Sequence, residues 1–74
     1  MNLLEYDKND LVEVVKLHTQ GALKQRLVSF GILKGVSIKV LGYSPTKSTV
    51  EIKVGKMNIA LRAEEAKSIE VKKK

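Results

Sequence analysis

The chain has 74 residues, no cysteine, 43% hydrophobic residues and a formal net charge of +6. A chain of this length makes one domain, residues 1–74, that buries only roughly 60% of its unfolded surface. The hydrophobic share excludes a disordered tail. The lack of cysteine excludes disulfides and thiolate metal sites, and favours a reducing, cytosolic setting.

Residues 1–10 show no clear hydrophobic period and read as a lead-in segment. Their acids stand where a secretory signal needs basic residues, and no apolar run approaches the ~20 residues that span a bilayer, so a soluble protein is expected. Residues 11–17, Leu-Val-Glu-Val-Val-Lys-Leu, are β-branched and predict a first strand. Its alternation is imperfect. Leu11, Val15 and Leu17 form one candidate inward face with Glu13 as its exception, and Val12, Val14 and Lys16 form the other.

His18 to Gly21 make a turn, with Thr19 or Gly21 expected to cap the helix that follows. That helix, about residues 21–30, places Leu23, Leu27 and Phe30 on one apolar stripe, with Lys24, Gln25 and Ser29 on the opposite side. Gly31 follows the last periodic residue, where a left-handed position favours a residue without a Cβ, and Ile32 is placed to contact the last turn. Gly35 allows a second turn before Val36, Ile38 and Val40, which alternate with Ser37 and Lys39 as a second strand. Residues 42–48 contain the only proline, Pro45, and read as an exposed, adaptable loop carrying Tyr43 and Lys47.

The best-specified element is the run from Val50 to Leu61. Two alternating stretches flank Gly55-Lys56, which suits a two-residue hairpin turn with glycine first. Folding there pairs Val54 with Met57, Ile52 with Ile59 and Val50 with Leu61, so six apolar residues share one face. A slip of one residue would destroy that sorting. Ala63 to Ala66 form a brief polar turn, Ile69 and Val71 mark a last short strand, and Lys72 to Lys74 make a charged end expected to fray. About five short strands and one helix protect their sheet edges by curling into a small, mainly β barrel.

The charge is unevenly spread: residues 21–62 carry eight basic residues against Glu51 alone. A basic centre attracts polyanions or an acidic protein face. Single-strand nucleic-acid binders need several aromatic stacking platforms, whereas this chain has Tyr6, Phe30 and Tyr43, with Phe30 already claimed by the core stripe.

Parts for catalysis are missing. His18 is the single histidine, no serine pairs evidently with it, and Gly31 to Gly35 lack the spacing and Lys-Ser/Thr of a phosphate loop. No enzyme activity and no cofactor are expected. Glu5, Asp7 and Asp10 lie close in sequence but read as solvated charges rather than a cation site, as do Glu64 and Glu65. His18 reads as a polar turn residue. Arg26 has two readings, as an arginine donated to a GTPase site or as a structural arginine paired with a carboxylate, and its position beside a core leucine favours the second. Arg62 carries the same two readings.

The order Gly21, Arg26-Leu27, Phe30-Gly31-Ile32, Gly35-Val36, Val40, Pro45, Val50, Val54, Ile59-Ala60-Leu61-Arg62, Ala66, Ile69 and Val71 resembles the FeoA family. These segments span about residues 8–71. Gly21, Leu23, Arg26, Leu27, Gly31 and Gly35 form the structural signature. The resemblance implies an SH3-like β-barrel with the helix inserted after the first strand. It further implies a role in bacterial ferrous-iron uptake, through contact with the cytoplasmic G-protein region of a FeoB transporter, by which the protein would be peripheral to the membrane. With no DNA-binding helices ahead of the barrel, the transport partner is preferred over the C-terminal module of a metal-dependent repressor. The residues offered for partner contact are Lys24, Gln25, Ser29, Tyr43 and Lys47, on a monomer or weak homo-oligomer. The alternative is a basic SH3-like barrel that binds RNA or a ribosomal partner.

Overall fold

A computed structural model describes all residues 1–74. Five strands form one antiparallel sheet: β1 (Leu11–Leu17), β2 (Ser37–Tyr43), β3 (Thr49–Val54), β4 (Met57–Arg62) and β5 (Ile69–Lys73), in the order β4-β3-β2-β1-β5. Helix α1 (Gly21–Ser29) is inserted between β1 and β2, and a single turn, α2 (Ala63–Ala66), leads from β4 to β5. All five strands contribute to one core cluster with Leu3, Leu27, Ile32 and Ala66. The sheet therefore curls around its apolar face, as the expected small barrel does.

The β3–β4 hairpin has the register read from the sequence, Val54 with Met57, Ile52 with Ile59 and Val50 with Leu61. Gly55 has φ +60 and Lys56 is not left-handed, which suits a turn with glycine in its first position. Five of the six sorted residues are buried or nearly so. Met57, at the turn end, stays exposed although its cross-strand partner Val54 is buried.

Strand β1 resolves its imperfect alternation with a bulge. Val12 and Val14, not Leu11 and Val15, are the buried residues, and Leu11 faces solvent. The register against β5 shifts between Val14 and Lys16. Without that extra residue the alternation would carry Lys16 inward; with it, Lys16 is exposed and Leu17 packs on the core.

Helix α1 ends as its glycine predicts. Gly31 has φ +83 and its N–H donates to the Val28 carbonyl at 2.9 Å, while the Ile32 N–H donates to the Leu27 carbonyl at 3.0 Å. This is the Schellman pair of bonds, and it buries Ile32 completely. The start of the helix differs from expectation. Gln20, extended, occupies the cap position without a side-chain bond, and a left-handed Gly21 makes the entry turn. The backbone itself turns the chain, so neither Thr19 nor Gly21 supplies a capping oxygen.

Both ends are more ordered than their composition suggests. Leu3, fully buried, lies in a 3-10 turn (Leu3–Glu5) capped by the Asn2 side chain, which accepts from the Leu4 N–H at 2.9 Å. The Val71 N–H donates to the Met1 carbonyl at 2.7 Å, so the N-terminal segment covers the outer edge of β5. Lys72 and Lys73 do not fray: they continue β5 opposite Glu13 and Val12. Strand β2 likewise runs on through Gly42 and Tyr43, across a second bulge, leaving a shorter β2–β3 loop than residues 42–48.

Candidate partner-binding surface

Burial of α1 fixes which of its residues face solvent. Leu27 is fully enclosed and Leu23 and Phe30 pack against the core, so Lys24, Gln25 and Ser29 are left exposed. The Ser29 hydroxyl donates to the Arg26 carbonyl at 2.6 Å, tying it to its own helix. The remaining two candidates sit elsewhere. Tyr43 ends β2 and Lys47 lies in the following loop, with the Lys47 ammonium 5.8 Å from the centre of the Tyr43 ring. No hydrogen bond or ion pair links the helix set to the loop set.

Tyr43 is not a free loop aromatic. It is half-buried, and its hydroxyl donates to the Tyr6 carbonyl, with the Leu3 carbonyl at 3.4 Å. Burial, then the charges of Asp7 and Asp10, push its phenol above the ordinary range. The side chain pins the N-terminal segment to β2. A shallow cavity of about 330 Å³ opens beside it, lined by Leu41, Gly42, Ser44, Thr49, Glu51 and Ala60.

Arg26 is engaged within the fold. Its Nε lies 3.3 Å from Glu65 Oε2 and its guanidinium 5.5 Å from the Phe30 ring centre. Glu65, taken from sequence as a solvated charge, is instead buried, because its other oxygen accepts the Arg62 N–H at 2.9 Å and caps α2. The acids of the N-terminal segment also serve the backbone. Glu5 accepts from the Asn2 N–H and Asp10 from the Asp7 N–H. No three histidine, aspartate or glutamate side chains gather around one point. His18 meets Glu70 across the β1–β5 edge, and that hydrogen bond holds the Glu70 carboxyl below its ordinary range. No helix is long and apolar enough to cross a membrane.

Lys24 has a setting that periodicity alone does not show. It borders a groove of about 390 Å³ between β1, α1 and the segment leading to β2. Residues far apart in sequence meet there, so no local pattern announces it.

Comparison with known proteins fits this geometry. Over 73 residues the chain is 38% identical to a Helicobacter pylori protein provisionally named Fe(2+) transport protein A, covering 97% of this chain and 96% of that one. The solution structure of iron(II) transport protein A from Clostridium thermocellum matches with a TM-score of 0.94 at 30% identity, over 99% of this chain and 45% of that one. A Porphyromonas gingivalis Fe(2+) transport protein A/Fe(2+) transporter FeoB fusion protein is 30% identical over 71 residues, which are 96% of this chain and 8% of the fusion. The fold is the SH3-like one. The FeoA domain model matches residues 1–73, and this chain belongs to the FeoA family.

Proposed function

We propose that this protein is a cytoplasmic accessory of ferrous-iron uptake that binds the G-protein region of a FeoB transporter and is held near the membrane through it. The observation that carries this reading is the Porphyromonas gingivalis fusion, in which a related domain and FeoB share one chain. Fusion gives two partners a high effective concentration, and separate chains must replace it with an interface. The relatives above are named as iron-transport proteins, and the residues of this chain supply no nucleophile–base pair. Its contribution is therefore recognition, for which exposed residues on a rigid barrel are suited.

The test is association of the purified protein with the isolated cytoplasmic G-protein region of a FeoB transporter. Reversing charge at Lys24 or Lys47 should slow association and reduce its dependence on salt, with melting unchanged. Iron uptake by cells lacking the protein should recover with the wild type. Binding to RNA with no affinity for the transporter overturns the proposal, and in that case high salt should weaken binding steeply through counterion release.

A further inference from the structure

We infer that the groove between β1, the outer side of α1 and the α1–β2 segment is a docking site for an acidic, apolar stretch of a partner protein. Resting on the reading above, that partner is the transporter's cytoplasmic part. The floor is apolar, formed by Val15, Leu17, Val28 and Leu33, and the rim carries Lys16, Lys24 and Lys34.

Two features set this floor apart from incidental surface. Val28 is 38% and Leu33 46% exposed, among the few large hydrophobics the fold leaves open. Val28 lies one residue off the buried stripe, so core packing does not require it. On an exposed helical position a β-branched residue is a poor helix former compared with alanine or lysine. Leu33 is held in place by its neighbours. The Gly35 N–H donates to the Val14 carbonyl at 2.8 Å, the Val14 N–H to the Val36 carbonyl at 2.9 Å, and the Val36 N–H to the Leu33 carbonyl at 3.0 Å. The turn that displays Leu33 is thus bolted to β1. Ordering costs on binding are small for such a preformed surface.

The rim selects the occupant. No carboxylate lines the groove, and the ion pairs of the protein are His18–Glu70, Arg26–Glu65 and Lys72–Glu13, none of which uses a rim lysine. Glu70 stands opposite Lys16 across the β1–β5 pairing but is already engaged by His18. Uncompensated cations around an apolar floor complement a segment whose apolar side chains are flanked by carboxylates. The floor excludes water and the rim steers approach.

The experiment measures equilibrium binding of the full-length protein to detergent-solubilised, full-length FeoB transporter at two salt concentrations. Four proteins are compared: the wild type, Lys24→Glu/Lys34→Glu, Val28→Ser/Leu33→Ser, and Lys56→Glu at the β3–β4 turn as the control. The groove variants should each weaken binding by about tenfold or more, while the control stays within about twofold of the wild type. Only the lysine variant should lose most of its salt dependence. Melting curves of all four should coincide, because every altered side chain is exposed; if the serine variant fails to fold, the lysine variant carries the test alone. Wild-type binding that the groove variants leave intact overturns the docking site but not the transporter reading, and no wild-type binding overturns both. A self-association dissolved by the groove variants, or binding to phosphatidylglycerol vesicles that they abolish while transporter binding persists, replaces the occupant and overturns the inference.

Discussion

Glu65 is buried with one oxygen 3.3 Å from the Arg26 Nε, while Arg26 itself is half exposed. The pair joins the outside of α1 to the four-residue turn between β4 and β5, and the second Glu65 oxygen caps that turn. The two partners should therefore differ in what their loss costs. Arg26→Ala removes a partly solvated ion pair and its stacking on Phe30, worth about 1 kcal/mol. Glu65→Ala also leaves the Arg62 N–H without its acceptor, and should cost about 1–3 kcal/mol. Denaturant melts of the two single variants and the double variant check this. Equal losses would mean that the cap contributes nothing.

Leu27 is the fully buried residue through which α1 meets the barrel. Leu27→Ala should lower stability by about 2–5 kcal/mol through the cavity it leaves. In a domain this small that approaches the whole folding free energy. A melting temperature within a degree or two of wild type would show that α1 docks another way.

Gly31→Ala tests the helix exit separately from packing. A Cβ at Gly31 would meet Val54 Cγ1 at 3.8 Å, an ordinary contact, so crowding costs little. The backbone carries the penalty. At φ +83 an alanine is strained by roughly 1–2 kcal/mol. Thermal unfolding should register that loss, and an unchanged midpoint would mean that the Schellman turn relaxes.

The elements that were legible in sequence are those whose signals are local. The β3–β4 hairpin follows from alternation and a glycine turn, and the exit of α1 follows from Gly31 and Ile32. What was hidden depends on long-range pairing. Nothing around Glu65 announces burial, because its partner Arg26 is 39 positions away along the chain. The buried face of β1 depended on a bulge set by pairing with β5, and the anchoring of the N-terminal segment on Val71 and Tyr43. Of the residues offered for partner contact, Lys24, Gln25 and Ser29 are exposed together on α1, whereas Tyr43 and Lys47 meet each other at the end of β2 and the loop after it. The groove beside Lys24 needed three elements in place before it existed.

The contact between His18 and Glu70 should appear in the acid limb of stability. Its hydrogen bond is the main cause of the lowered Glu70 carboxyl, assisted by the positive charges of His18, the N-terminus and Lys16. A carboxyl lowered in the folded state stabilises above its ordinary value of 4.5, and that contribution is lost as pH falls through the folded value. His18→Ala should therefore melt below wild type at neutral pH, with the gap closing as the pH drops below that range. A gap independent of pH would assign His18 a packing role instead.

The last prediction separates two roles for Tyr43. Its hydroxyl holds the Tyr6 carbonyl, and its ring lies under the Lys47 ammonium. Tyr43→Phe keeps the ring and deletes the hydroxyl, which should cost about 1 kcal/mol. It should also speed amide exchange at Val71, whose N–H is bound to the Met1 carbonyl of the segment that Tyr43 pins. The sign of the pH effect follows from the raised phenol. Stability from the neutral hydroxyl is fully present below its ordinary value of 10.0 and is lost as pH rises through the folded value. Alkaline unfolding of Tyr43→Phe should lack that component. If the ring also contacts the transporter, Tyr43→Phe should bind as the wild type does, and Tyr43→Ala should dissociate faster. Equal dissociation from all three proteins would confine Tyr43 to holding the N-terminal segment in place.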